Sequence, residues 1–292
     1  MGVELHEMRS DPEAVAVTTG VTLSTPGEAR LPRTWIAILR GHVTASLARA
    51  GYRVYTASRR AGAVDACTPI AMDVDDDASV AAAVARVLET EARIDVLINC
   101  AGFGIAGAIE DTTTDEAKAQ FETNFFGATR VVRGVLPQMR AQRGGLILNV
   151  SSLVNQLPVP FQGYYSASKA ALHAYTEALR YEVAPLGIRV SSIEPGNFAT
   201  GFTGARRRVS GWTEASVYAE RCAASIAWME EDERKGLPPA RFAEQVHGIV
   251  AHPNPKLRHL AISPIERVAL LLRALLPSRA YEWIFSRISK AA

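Results

Sequence analysis

The sequence predicts an α/β protein, a parallel sheet covered by helices on both faces. From Arg53 onward, short Val/Ile-rich runs alternate with longer Ala/Leu-rich stretches, the rhythm of repeated β-α-β units. Gly144, Gly145 and Gly187 fall where a helix should stop and the next strand begin. The chain also has the bulk for one large core: 292 residues, 48% hydrophobic and 21% charged, which excludes disordered and fibrous classes.

Taken in order, residues 1–33 mix Thr, Gly, Pro and Glu without a clear period and read as an N-terminal extension. The body, 34–260, holds strands at Arg53–Ala57, Val96–Asn99, Leu146–Val150 and Arg189–Ile193, each short and rich in β-branched residues. Helices over Asp77–Thr90, Thr114–Met139 and Tyr164–Ala184 connect them, the first opening behind a run of acids that suits a helix N-terminus. Residues 201–240 carry Arg206-Arg207-Arg208 and Pro238-Pro239, break the rhythm, and read as an insertion over a site. In 261–292, Val268, Leu271, Leu272, Leu275 and Leu276 recur at helical spacing as one apolar stripe. It would pack on the body or on a second subunit; the other reading, helped by Arg267, Arg273, Arg279 and Arg287, is a membrane surface.

Thirty-two basic residues against thirty acidic ones leave a net charge of +2, too balanced for a nucleic-acid partner. Cys67, Cys100 and Cys222 are odd in number and lack metal-ligand spacing, so neither a disulfide framework nor a metal site is expected, and a reducing cytoplasm fits. No apolar run approaches the roughly 20 residues that span a bilayer. The first 30 residues hold Glu4, Glu7, Asp11 and Glu13 and no hydrophobic signal core, so export is not expected.

The chemistry-bearing residues gather in the middle of the chain. Tyr165 and Lys169 stand four apart, so on a helix they project from one face, where a cation favours the phenolate and brings the tyrosine toward general acid–base work. Ser152 lies thirteen residues earlier, at the end of a strand, and could place a second hydroxyl beside it. Asn99-Cys-Ala-Gly102 ends the preceding strand, and Asn124 sits in the helix between. In a parallel sheet, strand C-termini are where ligands bind. A hydrolase is not expected: none of the six histidines stands in a nucleophile-elbow context and no Gly-x-Ser-x-Gly occurs. His173, one turn past Lys169, reads as a surface or packing residue.

Over roughly residues 34–260 these motifs resemble, in order, the short-chain dehydrogenase/reductase family: Asn99-Cys-Ala-Gly102, Asn124, Ser152, Tyr165, Lys169, then Pro195-Gly196 and Thr200. The resemblance implies a single Rossmann-type doubly wound domain, a nicotinamide cofactor and interconversion of a ketone or aldehyde with an alcohol. It implies Tyr165 as proton donor or base, Ser152 as hydrogen-bond donor to the substrate oxygen, and Lys169 as holder of the nicotinamide ribose that also lowers the Tyr165 pKa. Asn124 would anchor a relay water. Asn99, Ala101, Gly102, Pro195, Gly196 and Thr200 would line the cofactor, and Asp73 would meet its adenine. It also makes a homo-oligomer plausible. After the Arg53–Ala57 strand come Ser58-Arg59-Arg60 and no acid until Asp65, which favours NADP(H) over NAD, because arginines pair with the extra phosphate.

The family's glycine-rich phosphate loop is disrupted here. Its slot is Thr34-Trp-Ile-Ala-Ile-Leu-Arg-Gly41; only Thr34 and Gly41 survive, Trp35 and Leu39 fill the space where pyrophosphate should approach, and the apolar strand expected just before is missing. Val15-Ala-Val17 followed by Thr19-Gly20 offers a partial substitute. Three explanations stand: a diverged loop that binds cofactor poorly, a different phosphate cradle, or a displaced reading frame over codons 10–45, where GC-rich codons read one base later permit a Gly-Ser-x-Ser-Ser-Gly run. The activity expected is an oxidoreductase for an apolar ketone or alcohol, with Phe103, Ile105, Leu153, Leu157, Pro158, Phe161, Phe198 and Phe202 flanking the site. The alternative is a catalytically silent binding or scaffold protein on the same fold.

Overall fold

The computed structural model describes residues 16–18, 22–24, 30–33, 43, 47, 52–59, 62–200 and 202–289. In chain order, the first strands are β1 (Ala16–Thr18), β2 (Thr22–Ser24), β3 (Arg30–Arg33), β4 (Arg53–Ser58), β5 (Gly62–Ala66) and β6 (Thr68–Ala71). Helix α1 (Asp77–Glu91) leads to β7 (Val96–Asn99) and the short β8 (Ile105–Ala106). Helix α2 (Thr114–Phe121), a π-helical turn at Glu122–Gly127 and α3 (Ala128–Gln142) precede β9 (Gly145–Val150). Helix α4 (Gly163–Val183) leads to β10 (Ile188–Pro195). The remainder is α5 (Phe202–Ala205), β11 (Arg207–Arg208), α6 (Ala219–Arg234), α7 (Pro239–Ala251), β12 (Arg258–Ala261), α8 (Pro264–Leu275) and α9 (Ser278–Ile288).

Eight strands form one sheet in the order β12-β10-β9-β7-β1-β2-β4-β6. Its pairings are parallel except those of β2, which runs antiparallel to β1, β4 and β7. The parallel α/β architecture expected from the sequence is present, with two refinements. The stretch offered as a partial substitute, Val15-Ala-Val17, contributes a strand: Ala16–Thr18 pairs parallel with β7. The centre of the sheet is also not uniformly parallel, because the short antiparallel pair β1 and β2 fills the space between β7 and β4. Left open, that space would expose two rows of buried backbone groups without partners.

The buried strands point alternate side chains to opposite faces, as the pleat requires. Leu97, Ile147 and Val190 meet Val84 and Val87 of α1, Val131, Val135 and Met139 of α3, and Leu179 and Val183 of α4. Val96, Ile98, Leu146, Leu148 and Ile193 meet Leu47 and, on α7, Phe242, Val246 and Ile249. The helices are cut by local chemistry. Asp76 caps α1 by accepting from the Ala78 N–H, and Thr113 and Glu116 close a capping box on α2. Gly187 ends the turn after α4 at φ +77°, where a Cβ would lie 2.4 Å from the Arg143 carbonyl oxygen.

Two further expectations are refined. The helix read as continuous over Thr114–Met139 is interrupted by the π-turn, a wider turn that lets one extra residue into the coil, and continues to Gln142. Of the stripe expected to pack on the body or on a second subunit, Val268, Leu271, Leu272 and Leu275 are exposed; Leu276 alone of the five packs on the body, together with Ala269 and Leu270. Among the described residues no helix is long and apolar enough to cross a membrane, and no cluster of His, Cys, Asp or Glu could hold a metal ion.

Candidate active site

The C-terminal ends of β7, β9 and β10 form one edge, and the site is built there. Asn99 closes β7, but its side chain is spent inside the sheet: the amide donates to Asn149 Oδ1 at 2.8 Å and to the Ala128 carbonyl. The chain then turns at Gly102, where a Cβ would meet Asn124 Oδ1 at 2.9 Å and Lys169 Nζ at 3.6 Å. Only a residue without a side chain lets these two groups converge. The π-turn delivers Asn124 into this spot, fully buried. Its Oδ1 accepts from the Phe103 N–H, and its amide donates to the Phe103 carbonyl and to Ser168 Oγ. Asn124 therefore ties the loop after β7 to α4, with both amide protons engaged.

Ser152 follows β9. Its hydroxyl accepts from the Val154 N–H at 3.4 Å, and it also hydrogen-bonds the Tyr165 hydroxyl. Tyr165 is buried on α4, and burial pushes its pKa up to about 12; the Ser152 bond and the Arg206 charge lower it, while Glu233 raises it. Lys169, one turn on, is 5% exposed and donates to the Val150 carbonyl at 2.9 Å. Burial pulls its pKa down to about 8, against a weaker raising influence from Cys100. The Lys169 ammonium points its hydrogen bond toward the end of β9, while the Ser152 bond and the Glu233 and Arg206 charges act on Tyr165.

The remaining expected residues divide. Ala101 and Pro195 border the same edge; the Pro195 carbonyl lies 3.5 Å from the Ser152 hydroxyl. Gly196 is close-packed for another reason, since a Cβ there would run into the Glu266 carboxylate at 2.1 Å. Thr200 Oγ1 accepts from the Phe202 N–H. Arg59 stands exposed at the end of β4, its charge felt by Asp75, and Asp73 Oδ1 accepts from the Asp75 N–H ahead of α1. Thr34, Gly41 and Arg60 lie outside the described residues, as do Trp35, Leu39 and Thr19-Gly20.

Glu194 and Glu233 gave no signal in the sequence, whereas Phe202 was expected to flank the site and Arg206 stood in the basic run of the 201–240 insertion. Phe202 lies against Tyr165, ring centroids 5.7 Å apart, and Arg206 sits over Phe202. Arg206 is bonded to Glu233, which also accepts from Thr203, so a charged latch covers the phenol. Glu194 of β10 is wholly buried and bonded to Arg258 at 2.8 and 2.9 Å and to Gln156 at 2.7 Å, with His173 Nδ1 3.1 Å away. His173 thus belongs to a structural network behind the site. Phe198, read as pocket, is instead core, packed edge-on against Phe242.

A cofactor fit can be judged at one end of the cleft. Lys169 is a buried cation that donates to the Val150 carbonyl, and the absence of a side chain at Gly102 keeps the backbone close to its ammonium, a donor that suits the hydroxyls of a ribose. A site with two hydroxyl donors, a buried lysine and a glycine-lined edge on a doubly wound sheet is that of an oxidoreductase of the nicotinamide-dependent kind.

The comparisons agree. A family model described as short chain dehydrogenase matches residues 41–210. A 3-ketodihydrosphingosine reductase of Bacteroides thetaiotaomicron is 39% identical over 231 residues, 78% of this chain and 85% of that protein. A probable short-chain type dehydrogenase/reductase of Helicobacter pylori, VdlC, is 34% identical over 80% of this chain and 88% of its own length. The solved short-chain dehydrogenase of Streptomyces avermitilis superposes with a TM-score of 0.74 at 31% identity, covering 90% of this chain and 99% of that one. Solved neighbours of the same fold include complexes with NADP and a complex with NAD. The chain belongs to the short-chain dehydrogenase/reductase family of oxidoreductases.

Proposed function

We propose that this protein reduces an apolar ketone to an alcohol with NADPH, with Tyr165 donating the proton. The supporting observation is the buried Ser152–Tyr165 hydroxyl pair one helical turn from Lys169. Negative charge growing on a carbonyl oxygen is stabilised by two preorganised O–H donors, and the phenol, raised to about 12, holds its proton through the neutral range and is an acid in the reductive direction. Ser152 orients the oxygen; Lys169, charged below about pH 8, would hold the ribose hydroxyls. The nicotinamide supplies the hydride when bound. Arg59 would meet the NADP phosphate, and Gly102 would leave the backbone close to the ring.

Ile105, Leu153 and Leu157 near the site, and Phe202 over the phenol, favour an apolar substrate, and a 3-keto reductase among the relatives favours the reductive direction. The test is a panel of ketones and alcohols followed by nicotinamide absorbance. Turnover of an apolar ketone with NADPH, abolished by Tyr165→Phe, is the expected result; no turnover of any member with saturating cofactor would end the proposal. The second reading, a catalytically silent member of the family, is favoured by Trp35 and Leu39 in the phosphate-loop slot. Titration of NADPH fluorescence separates the two: saturable binding weakened by Arg59→Ala supports the enzyme, and no binding at millimolar cofactor supports the silent protein.

A further inference from the structure

Helix α8 is apolar on two sides, and one side alone is covered. Ala269 and Leu270 pack with Tyr281 and Phe285 against Leu153, Leu157 and Ile262. On the opposite side Ile265, Val268, Leu271, Leu272 and Leu275 are 77%, 52%, 54%, 37% and 78% exposed. At 3.6 residues per turn these five occupy about a third of the circumference, one continuous stripe. Scattered surface leucines are ordinary, but five on one stripe mark an interaction surface.

The charges beside the stripe say what covers it. Arg267 of α8 and Arg279 and Arg287 of α9 are exposed, and so is Trp283, which stands four residues from each of the latter two. The Arg287 guanidinium lies 4.1 Å above the Trp283 ring. Of the acids in this segment, Glu266 is consumed by the Ser263 cap and the Asn197 N–H, leaving Glu282 against Arg267, Arg273, Arg279 and Arg287. A broad apolar stripe, arginines and an exposed indole form the complement of an anionic lipid surface. A second copy of the chain fits less well, because a two-fold pairing of this face sets its arginines against themselves.

We propose that α8 and α9 dock the protein on anionic phospholipid membranes, the α8 stripe lying among acyl chains and Arg279, Trp283 and Arg287 at the headgroups. The same two helices border the catalytic loop on their covered side: Pro158 and Pro160, between Ser152 and Tyr165, line a cleft of about 360 Å³ with Arg273, Tyr281 and Phe285. The inference is independent of the substrate and cofactor proposed above, because binding is read without turnover.

The experiment is co-sedimentation of the full chain with vesicles of phosphatidylcholine alone, or of phosphatidylcholine and phosphatidylglycerol in equal parts. Binding to the mixed vesicles should be at least about tenfold stronger, and molar salt should remove most of that preference. Arg279→Gln with Arg287→Gln should weaken binding roughly tenfold, and Leu271→Glu with Leu275→Glu should abolish it, with thermal midpoints unchanged since these side chains are exposed. As a measurement on the native chain, tryptophan emission should shift to the blue on mixed vesicles, and Trp283→Phe should lose that shift. Equal binding to both vesicle types, or binding indifferent to both pairs of substitutions, overturns the proposal. So does a dimer in solution that Leu271→Glu converts to a monomer, which would assign the stripe to a second copy.

Discussion

The two ends of the cofactor cleft are built by different means. At the nicotinamide end, Asn124, Ser152, Tyr165 and Lys169 are held by buried hydrogen bonds to Phe103, Ser168, Val150 and each other, and by helices that pack on the sheet. At the adenosine end, β1 and β2 take up the sheet's central space with three residues each, and the sequence puts Trp35 and Leu39 in the slot expected to hold the family's loop of glycines. Catalytic geometry is thus sustained by core packing, whereas phosphate binding depends on a loop whose backbone must approach a ligand.

Four outcomes would break or sharpen this comparison. The largest concerns the nicotinamide end alone: Tyr165→Phe should lower kcat about a thousandfold while leaving the NADPH affinity unchanged, measured by steady-state kinetics and fluorescence titration. A loss of binding in that variant would show that the two ends are not separable. Next, restoring the adenosine end by Trp35→Gly with Leu39→Gly should tighten NADPH roughly tenfold with kcat at saturation unchanged. An unaltered affinity would point to another cradle, and resequencing codons 10–45 tests the displaced frame directly.

The third outcome is a pH profile. Lys169 has its pKa lowered by burial to about 8, so it is charged below that pH and neutral above it. Cofactor affinity should therefore fall as pH rises through 8, and Lys169→Ala should remove that dependence together with part of the affinity. With Tyr165 raised to about 12, the reductive rate should not fall across the neutral range for lack of a proton, while alcohol oxidation, which needs the phenolate, should climb with pH up to that region. The smallest is Arg59→Ala, expected to weaken NADPH about fivefold and NADH hardly at all.

Much of the site was legible because its residues are fixed by order and spacing on regular elements. Tyr165 and Lys169 on one helix face, Ser152 at a strand end and Asn124 between strands all reach one edge. The strands Val96–Asn99 and Leu146–Val150 were readable for the same reason, being short apolar runs between helices. What escaped has a physical pattern. The π-turn at Glu122–Gly127 leaves no mark in helical periodicity. The outward stripe of α8 obeys the same period as an inward one, so sequence spacing finds the face without saying which way it points. Arg206, seen only as part of a basic run in the insertion, is drawn inward by Glu233, a partner 27 residues away that only the fold brings near, and stands over its local neighbour Phe202. Glu194 and Arg258 meet across neighbouring strands for that same reason.

Gly196 and Glu266 touch so closely that no other side chain fits between them, and the Glu266 carboxylate also receives the Asn197 N–H at 2.7 Å. A single carboxylate therefore rivets the last helices to the stretch running from Pro195 toward Thr200. The position of the last helices and that of the stretch after β10 are thereby set by one shared side chain.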